Sequence, residues 1–220
     1  MLLNEQGVLQ SWHCDESPMV FSEIFSPETS IAIWRRPVQA DITRYFDQVF
    51  VQLRTGIRSV FSVDALEAEL NGRLPEGTCK ASAVADICLL ADMLTTLFNC
   101  DSVGLRLVPL SSPMCPSFHV DNIPVRLIHT YVGSGTDWLP GEALQDSPPD
   151  DPAGHFARTN TGKYFLQSEV RTLGTFDAAL LKGAAWPEHE HRAAVHRSGL
   201  SRNPAAQSYE NRVLLTLDPM

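Results

Sequence analysis

Apolar positions follow two different rhythms along this chain, and the change falls near residue 100. After Asp41, a good N-cap, the residues Ile42, Phe46, Val49, Phe50 and Leu53 recur at helical spacing and predict an amphipathic helix to about Arg54. Asp64 and Glu67 stand at capping-box spacing and open a shorter helix that stops at Asn71-Gly72. From about Ala81 to Phe98, the residues Val84, Ile87, Ala91, Leu94, Leu97 and Phe98 form one apolar stripe, the clearest helix in the sequence. Residues 1–40 are mixed and Pro-punctuated, with one short strand candidate at Ser30 to Trp34.

Beyond Asn99, Gly and Pro separate short β-rich runs: Val103 to Leu110, Val125 to Val132, Tyr164 to Thr172, Phe176 to Lys182, Ala193 to His196 and Arg212 to Leu217. Helices first and strands second predict an α+β fold. The expected organisation is a mainly helical segment, 1–100, packed on a β core, 101–220, in a single compact domain. Leu139 to Gly162, rich in Pro, Asp and Gly, reads as a surface loop or lid.

Composition narrows the function classes. With 220 residues, 44% of them hydrophobic, the chain can bury a core without disulfides. Seventeen Lys and Arg against 26 Asp and Glu give a net charge of -9, which argues against nucleic acid as the main partner while leaving room for a local basic cleft. Met1 to Gln10 does not read as a signal peptide, and no run of about 18 apolar residues stands out as a membrane span. Five irregularly spaced cysteines suggest neither a disulfide framework nor a zinc ribbon, so a reduced, cytoplasmic setting is expected.

The chemistry concentrates in Cys115-Pro-Ser-Phe-His119-Val-Asp121. In an extended segment residues i and i+2 point the same way, so His119 and Asp121 can converge on one ion. An H-x-D tripeptide is common, and a second imidazole must come from elsewhere. His196, 77 residues on and directly after a β-like run, is the candidate. Two imidazoles and a carboxylate on one face of a metal leave the other face open, which suits non-haem Fe(II). In the last strand, Val213, Leu215 and Leu217 form an apolar face that belongs to the core. Arg212, Leu214 and Thr216 form the mixed face expected to line a pocket. Arg126 and Tyr131 are candidates for orienting a cofactor or substrate, while Arg197, Arg202 and Lys182 rival Arg212 as carboxylate binders. Cys115 and the pair His189 and His191 are possible further metal donors, although a buried thiol and a solvated turn are the plainer readings.

This order of H-x-D, second His and an Arg opening the last strand resembles that of Fe(II)- and 2-oxoglutarate-dependent oxygenases, from about Val103 to Asp218. The resemblance implies a double-stranded β-helix (jelly-roll, cupin-like) barrel. It also implies that His119, Asp121 and His196 hold iron and that Arg212 grips the distal carboxylate of 2-oxoglutarate. The 16 residues between His196 and Arg212 are more than that group usually shows. A second likeness rests on Leu105-Arg-Leu, Cys115 to Asp121, Val125 to Tyr131, Gly135-Thr-Asp-Trp138, Leu181-Lys-Gly183 and Val195-His-Arg-Ser198. These segments resemble a bacterial family of unknown function whose members tend to be encoded beside zinc-responsive metallochaperone GTPases, which implies a link to metal supply. Gly199 stands where that family has Pro.

The leading expectation is therefore an iron- and 2-oxoglutarate-dependent oxygenase acting on a small molecule or protein side chain. The alternatives are a zinc-binding or metal-homeostasis protein using the same donors, with zinc-activated water as a hydrolytic variant, and a plain interaction module. No nucleic-acid or membrane partner is expected.

Overall fold

In the computed structural model, the described residues are 10–147, 154–187, 193–199 and 208–220, with the backbone alone at 202–203. Among them are fourteen strands: β1 (Trp12–Asp15), β2 (Ile31–Trp34), β3 (Ile57–Ser62), β4 (Ser102–Leu110), β5 (Val125–Val132), β6 (Asp137–Leu139), β7 (Phe156–Arg158), β8 (Tyr164–Leu166), β9 (Arg171–Thr172), β10 (Ala178–Lys182), β11 (Val195–Arg197), β12 (Arg202–Asn203), β13 (Ser208–Tyr209) and β14 (Arg212–Pro219). Three α-helices, α1 (Ala40–Val49), α2 (Val63–Arg73) and α3 (Lys80–Phe98), lie between β2 and β4.

Seven strands form one large sheet in the order β1-β2-β10-β5-β14-β4-β3, antiparallel except for the β1–β2 pair. Alternation sorts its side chains between two layers. From β14, Val213, Leu215 and Leu217 join Phe46, Ile87 and Leu94 of the helices in the principal core. The opposite face of the sheet meets the small sheet β11-β6-β9, where Ile128, Ala179 and Leu214 pack against Trp138, Leu173 and Ala194. The partition of the last strand is the one its sequence pattern predicts.

A β-bulge locally breaks this alternation. Val213 pairs with Val132 and Leu214 with Thr130, so Tyr131 has no residue directly opposite. Tyr131 and Val132 both enter the helical core as a result, and Thr130 stays on the side of the small sheet with Arg212.

Several expectations need correction. The two sheets face each other without closing into a barrel among the described residues. Besides the expected strand β2, the first hundred residues supply β1 and β3, so the main sheet is built from both halves of the chain. β3 escaped the periodicity reading because Ile57 and Phe61, its buried residues, are four apart and fit a helical stripe as well as a strand. The run Tyr164 to Thr172 is split between β8 and β9 by a 3₁₀ turn at Gln167–Glu169, and the two strands belong to different sheets. α1 ends at Val49, and positive φ at Arg54 and Gly56 turns the chain into β3. Lastly, α3 is by length and composition apolar enough to cross a membrane. In this fold that apolarity serves the core, where Ala83, Val84, Ile87, Leu90, Ala91 and Leu94 are all buried.

Candidate metal centre

Backbone pairing brings the two distant imidazoles together. The His119 N–H donates to the His196 carbonyl at 3.0 Å, and the His196 N–H returns the bond to His119 at 3.0 Å, an antiparallel pair one residue long. Directly opposed residues of such a pair project to the same side, and the rings stand 4.6 Å apart, centroid to centroid. Two more bonds brace the same junction: Ser198 N–H to the Cys115 carbonyl at 2.9 Å, and Cys115 N–H to Ser198 Oγ at 3.1 Å. Asp121, two residues past His119, completes the cluster. One ligand atom from each of His119, Asp121 and His196 lies within 4.8 Å of the others.

Orientation makes these donors available. A carbonyl oxygen can only accept, so the contacts from His119 Nδ1 to Ser117 O and from His196 Nδ1 to Ala194 O, both 3.0 Å, place the proton of each neutral ring on Nδ1. Nε2 of each ring then carries the lone pair, and it faces Asp121, at 3.5 Å from Oδ1 for His119 and 3.6 Å from Oδ2 for His196. This is how ligand histidines are held at metal centres. The donor set of two nitrogens and one carboxylate therefore fits a divalent transition ion.

Arg126 fixes the carboxylate. Its Nη1 donates to Asp121 Oδ2 at 2.7 Å, while Nε and Nη2 grip both oxygens of Asp218, each at 2.7 Å. Burial by itself would raise the Asp121 pKa, but the hydrogen bond it receives from His119 once that ring is protonated, with the charges of His196 and Arg126, outweighs it and holds the group at about 2. The histidines diverge. At His119 the hydrogen bond that the protonated ring makes to Asp121 dominates and raises the pKa, whereas burial dominates at His196 and lowers it.

A cleft of about 90 Å³ opens over the three donors, and Arg212, Thr216 and Leu214 of β14 line it together with Arg106 of β4. Arg212 is 5% exposed. Its Nη2 donates to Thr130 Oγ1 at 3.1 Å and Thr136 Oγ1 at 2.7 Å, both neutral acceptors. Its Nε is buried without a partner, and no carboxylate forms an ion pair with it among the described residues. Burial lowers its pKa to about 10, against the opposing pull of Asp137, so it remains a cation at neutral pH.

The other sequence candidates go elsewhere. Tyr131 is fully buried on the helical face of the sheet and donates to Asp86 Oδ2 at 2.9 Å, so it cannot touch a ligand at this centre. Arg126 positions Asp121 and spends three of its N–H donors, and its charge, on the carboxylates of Asp121 and Asp218. Arg197 is paired with Asp137 at 3.0 Å and stacked on Phe118, and Lys182 donates to Ser26 O at 2.8 Å beneath Trp186. Cys115 borders the cleft but is outside the group of converging donors. His189, His191 and the side chain of Arg202 lie outside the described residues. Sequence reasoning overlooked Thr130, Thr136 and Asp218. Thr130 was within reach of it, since it alternates with Arg126 and Ile128 along β5.

Comparison with known proteins adds the following. The sequence profile of a family described as "Protein of unknown function (DUF1826)" matches residues 15–218. A full-length Neurospora crassa protein, solved in complex with alpha-KG and 5-formyluracil, aligns over 99% of this chain and 86% of its own with a TM-score of 0.50 and 11% identity. HygX from Streptomyces hygroscopicus with iron bound aligns over 91% and 85%, with TM-score 0.45 and 10% identity. A Pseudomonas putida prolyl-4-hydroxylase aligns over 90% and 95%, with TM-score 0.43 and 9% identity. At such identities only the fold is shared, and of these three alignments the Neurospora crassa one carries the likeness. No curated protein matches significantly.

Proposed function

The chain belongs to the DUF1826 family, and from that premise we propose that it is a non-haem Fe(II)- and 2-oxoglutarate-dependent oxygenase. One observation carries the reading: the converging donors His119, Asp121 and His196 share their cleft with the buried guanidinium of Arg212, which forms no ion pair among the described residues. The alignment with the Neurospora crassa protein, which was solved with alpha-KG, supports the same fold for the task.

Each residue has a defined part. His119 and His196 offer Nε2, and Asp121 offers the oxygen of a carboxylate that is ionised at neutral pH. Ferrous iron and the oxoacid, when bound, supply the oxidising chemistry. Arg212 has the planar donor geometry to take a carboxylate and an Nε–H that no protein group uses, and burial strengthens that attraction. Thr130 and Thr136 hold the guanidinium in place without neutralising it. Ile128 and Leu214 line the cleft between the donors and keep part of its wall dry.

The test is anaerobic addition of Fe(II) and then 2-oxoglutarate to the purified full chain. A visible charge-transfer band is expected in the wild type. His196→Ala should lose both metal and band. Arg212→Ala should keep the metal and weaken 2-oxoglutarate binding by about 10- to 100-fold. Tight zinc with no response to 2-oxoglutarate would instead select the metal-handling reading.

A further inference from the structure

The acids and cations around the cleft are unevenly paired, because one arginine takes two carboxylates and two others are left with none. Asp121 and Asp218 are both taken up by Arg126, and Asp137 is taken up by Arg197 and Thr172. Two cations bordering the cleft, Arg212 and Arg106, form no ion pair among the described residues. Arg106 lies on β4 directly opposite Thr216 of β14, four residues along that strand from Arg212. At about 3.3 Å per residue the two guanidinium-bearing positions are roughly 13 Å apart along the sheet. One is sealed deep in the protein and the other is partly open to solvent.

Arg106 is also opposed by its own kind. On its other side it pairs across the strands with Arg58 of edge strand β3, so two like charges share one face of the sheet. That arrangement costs stability unless an anion sits between them. Among the described residues neither guanidinium makes a hydrogen bond or an ion pair, and Asp218, the carboxylate whose charge acts on Arg106, has both oxygens committed to Arg126. Desolvation together with the Arg58 and Arg126 charges lowers the Arg106 pKa, against the opposing influence of Cys115 and Asp218. Arg106 borders the cleft and the exposed Arg58 stands beside it, an adjacent pair of cations that is conspicuous on a protein whose net charge is -9.

We propose that Arg106, backed by Arg58, is a second oxyanion site, which binds the carboxylate or phosphate group of a small-molecule substrate while Arg212 holds the co-substrate. The assignment rests on the oxygenase reading for the word substrate. The site itself follows from the charge distribution. The substrate is then a compact acid whose reacting carbon lies between its anionic end, at Arg106, and the metal donors.

The experiment uses the metal-free full chain, titrated with inorganic phosphate and, separately, with acetate, while arginine Nε–H resonances are followed by NMR. The Arg106 signal, identified by its loss in Arg106→Gln, should move saturably with at least one probe, and the stronger probe tells phosphate from carboxylate. Arg106→Lys should retain binding in part. Arg58→Glu changes an exposed edge residue, so the core stays intact, and its new carboxylate should abolish the response by occupying Arg106. The proposal is overturned if the Arg106 resonance ignores both probes, or if the Arg58→Glu protein responds as the wild type does. No iron, oxygen or 2-oxoglutarate is present in this titration. Its failure therefore leaves the metal reading standing, and a missing charge-transfer band with an intact anion response sinks only the oxygenase reading.

Discussion

His129 shows how one buried side chain can set the acid tolerance of the fold. It is fully enclosed on the helical face of β5, donates from Nδ1 to the Asp177 carbonyl at 3.1 Å, and leaves Nε2 without a partner. Burial, aided by the Arg36 charge, drives its pKa to about 3, so the folded protein keeps it neutral. An unfolded chain takes up a proton there near the ordinary value of 6.5, so the unfolded state is favoured as pH falls from about 6.5 toward 3. Stability from this residue is complete above that window and should decline inside it by up to roughly 1.4 kcal/mol per pH unit. His196 pushes the same way and His119 the opposite way. Urea unfolding at pH 7 and pH 5 should show the loss in the wild type, and His129→Gln should flatten most of the slope.

Among the elements, the loop bearing Asp121 depends on a glycine in another segment. Gly183 follows β10, and a Cβ there would stand 1.9 Å from the Ile123 carbonyl oxygen and 2.7 Å from that of Asp121. The close approach lets the Gly183 N–H reach the Pro124 carbonyl at 2.9 Å and the Ala184 N–H reach that of Asp121 at 2.8 Å. Gly183→Ala must push this loop aside. We expect about 1–3 kcal/mol of lost stability in denaturant unfolding and metal binding weakened at least about tenfold by calorimetry. Unchanged metal affinity would show that the loop is not what sets the position of Asp121.

Viewed whole, the molecule joins two sheets across the metal donors. His119 and Asp121 come from the segment between β4 and β5, and His196 comes from β11 in the small sheet. An ion bound by all three ties that sheet to the segment entering the large one. Metal at about 100 times its dissociation constant should then add about 2.7 kcal/mol, seen as a higher melting temperature and as slower hydrogen exchange around 195–198. Chelator should reverse both effects, and His196→Ala should show neither.

Much of this was legible from the amino-acid order, because local periodicity reflects which side of an element is buried. α3, the strands β4, β5 and β14, and the division of β14 into a core face and a cleft face all follow from spacing alone. The i, i+2 placement of His119 and Asp121 is likewise a local property, and it marked two of the three donors of the candidate centre. Tertiary structure decided what spacing cannot express. Only long-range pairing could show that His119 and His196 share a backbone bridge, that the sheets stay open, and that β3 joins the edge beside β4. The fates of the arginines were equally hidden, since a guanidinium is neutralised by whatever acid the fold brings near it. Arg126 gained two carboxylates and Arg212 gained none, and no feature of their sequence neighbourhoods distinguishes the two.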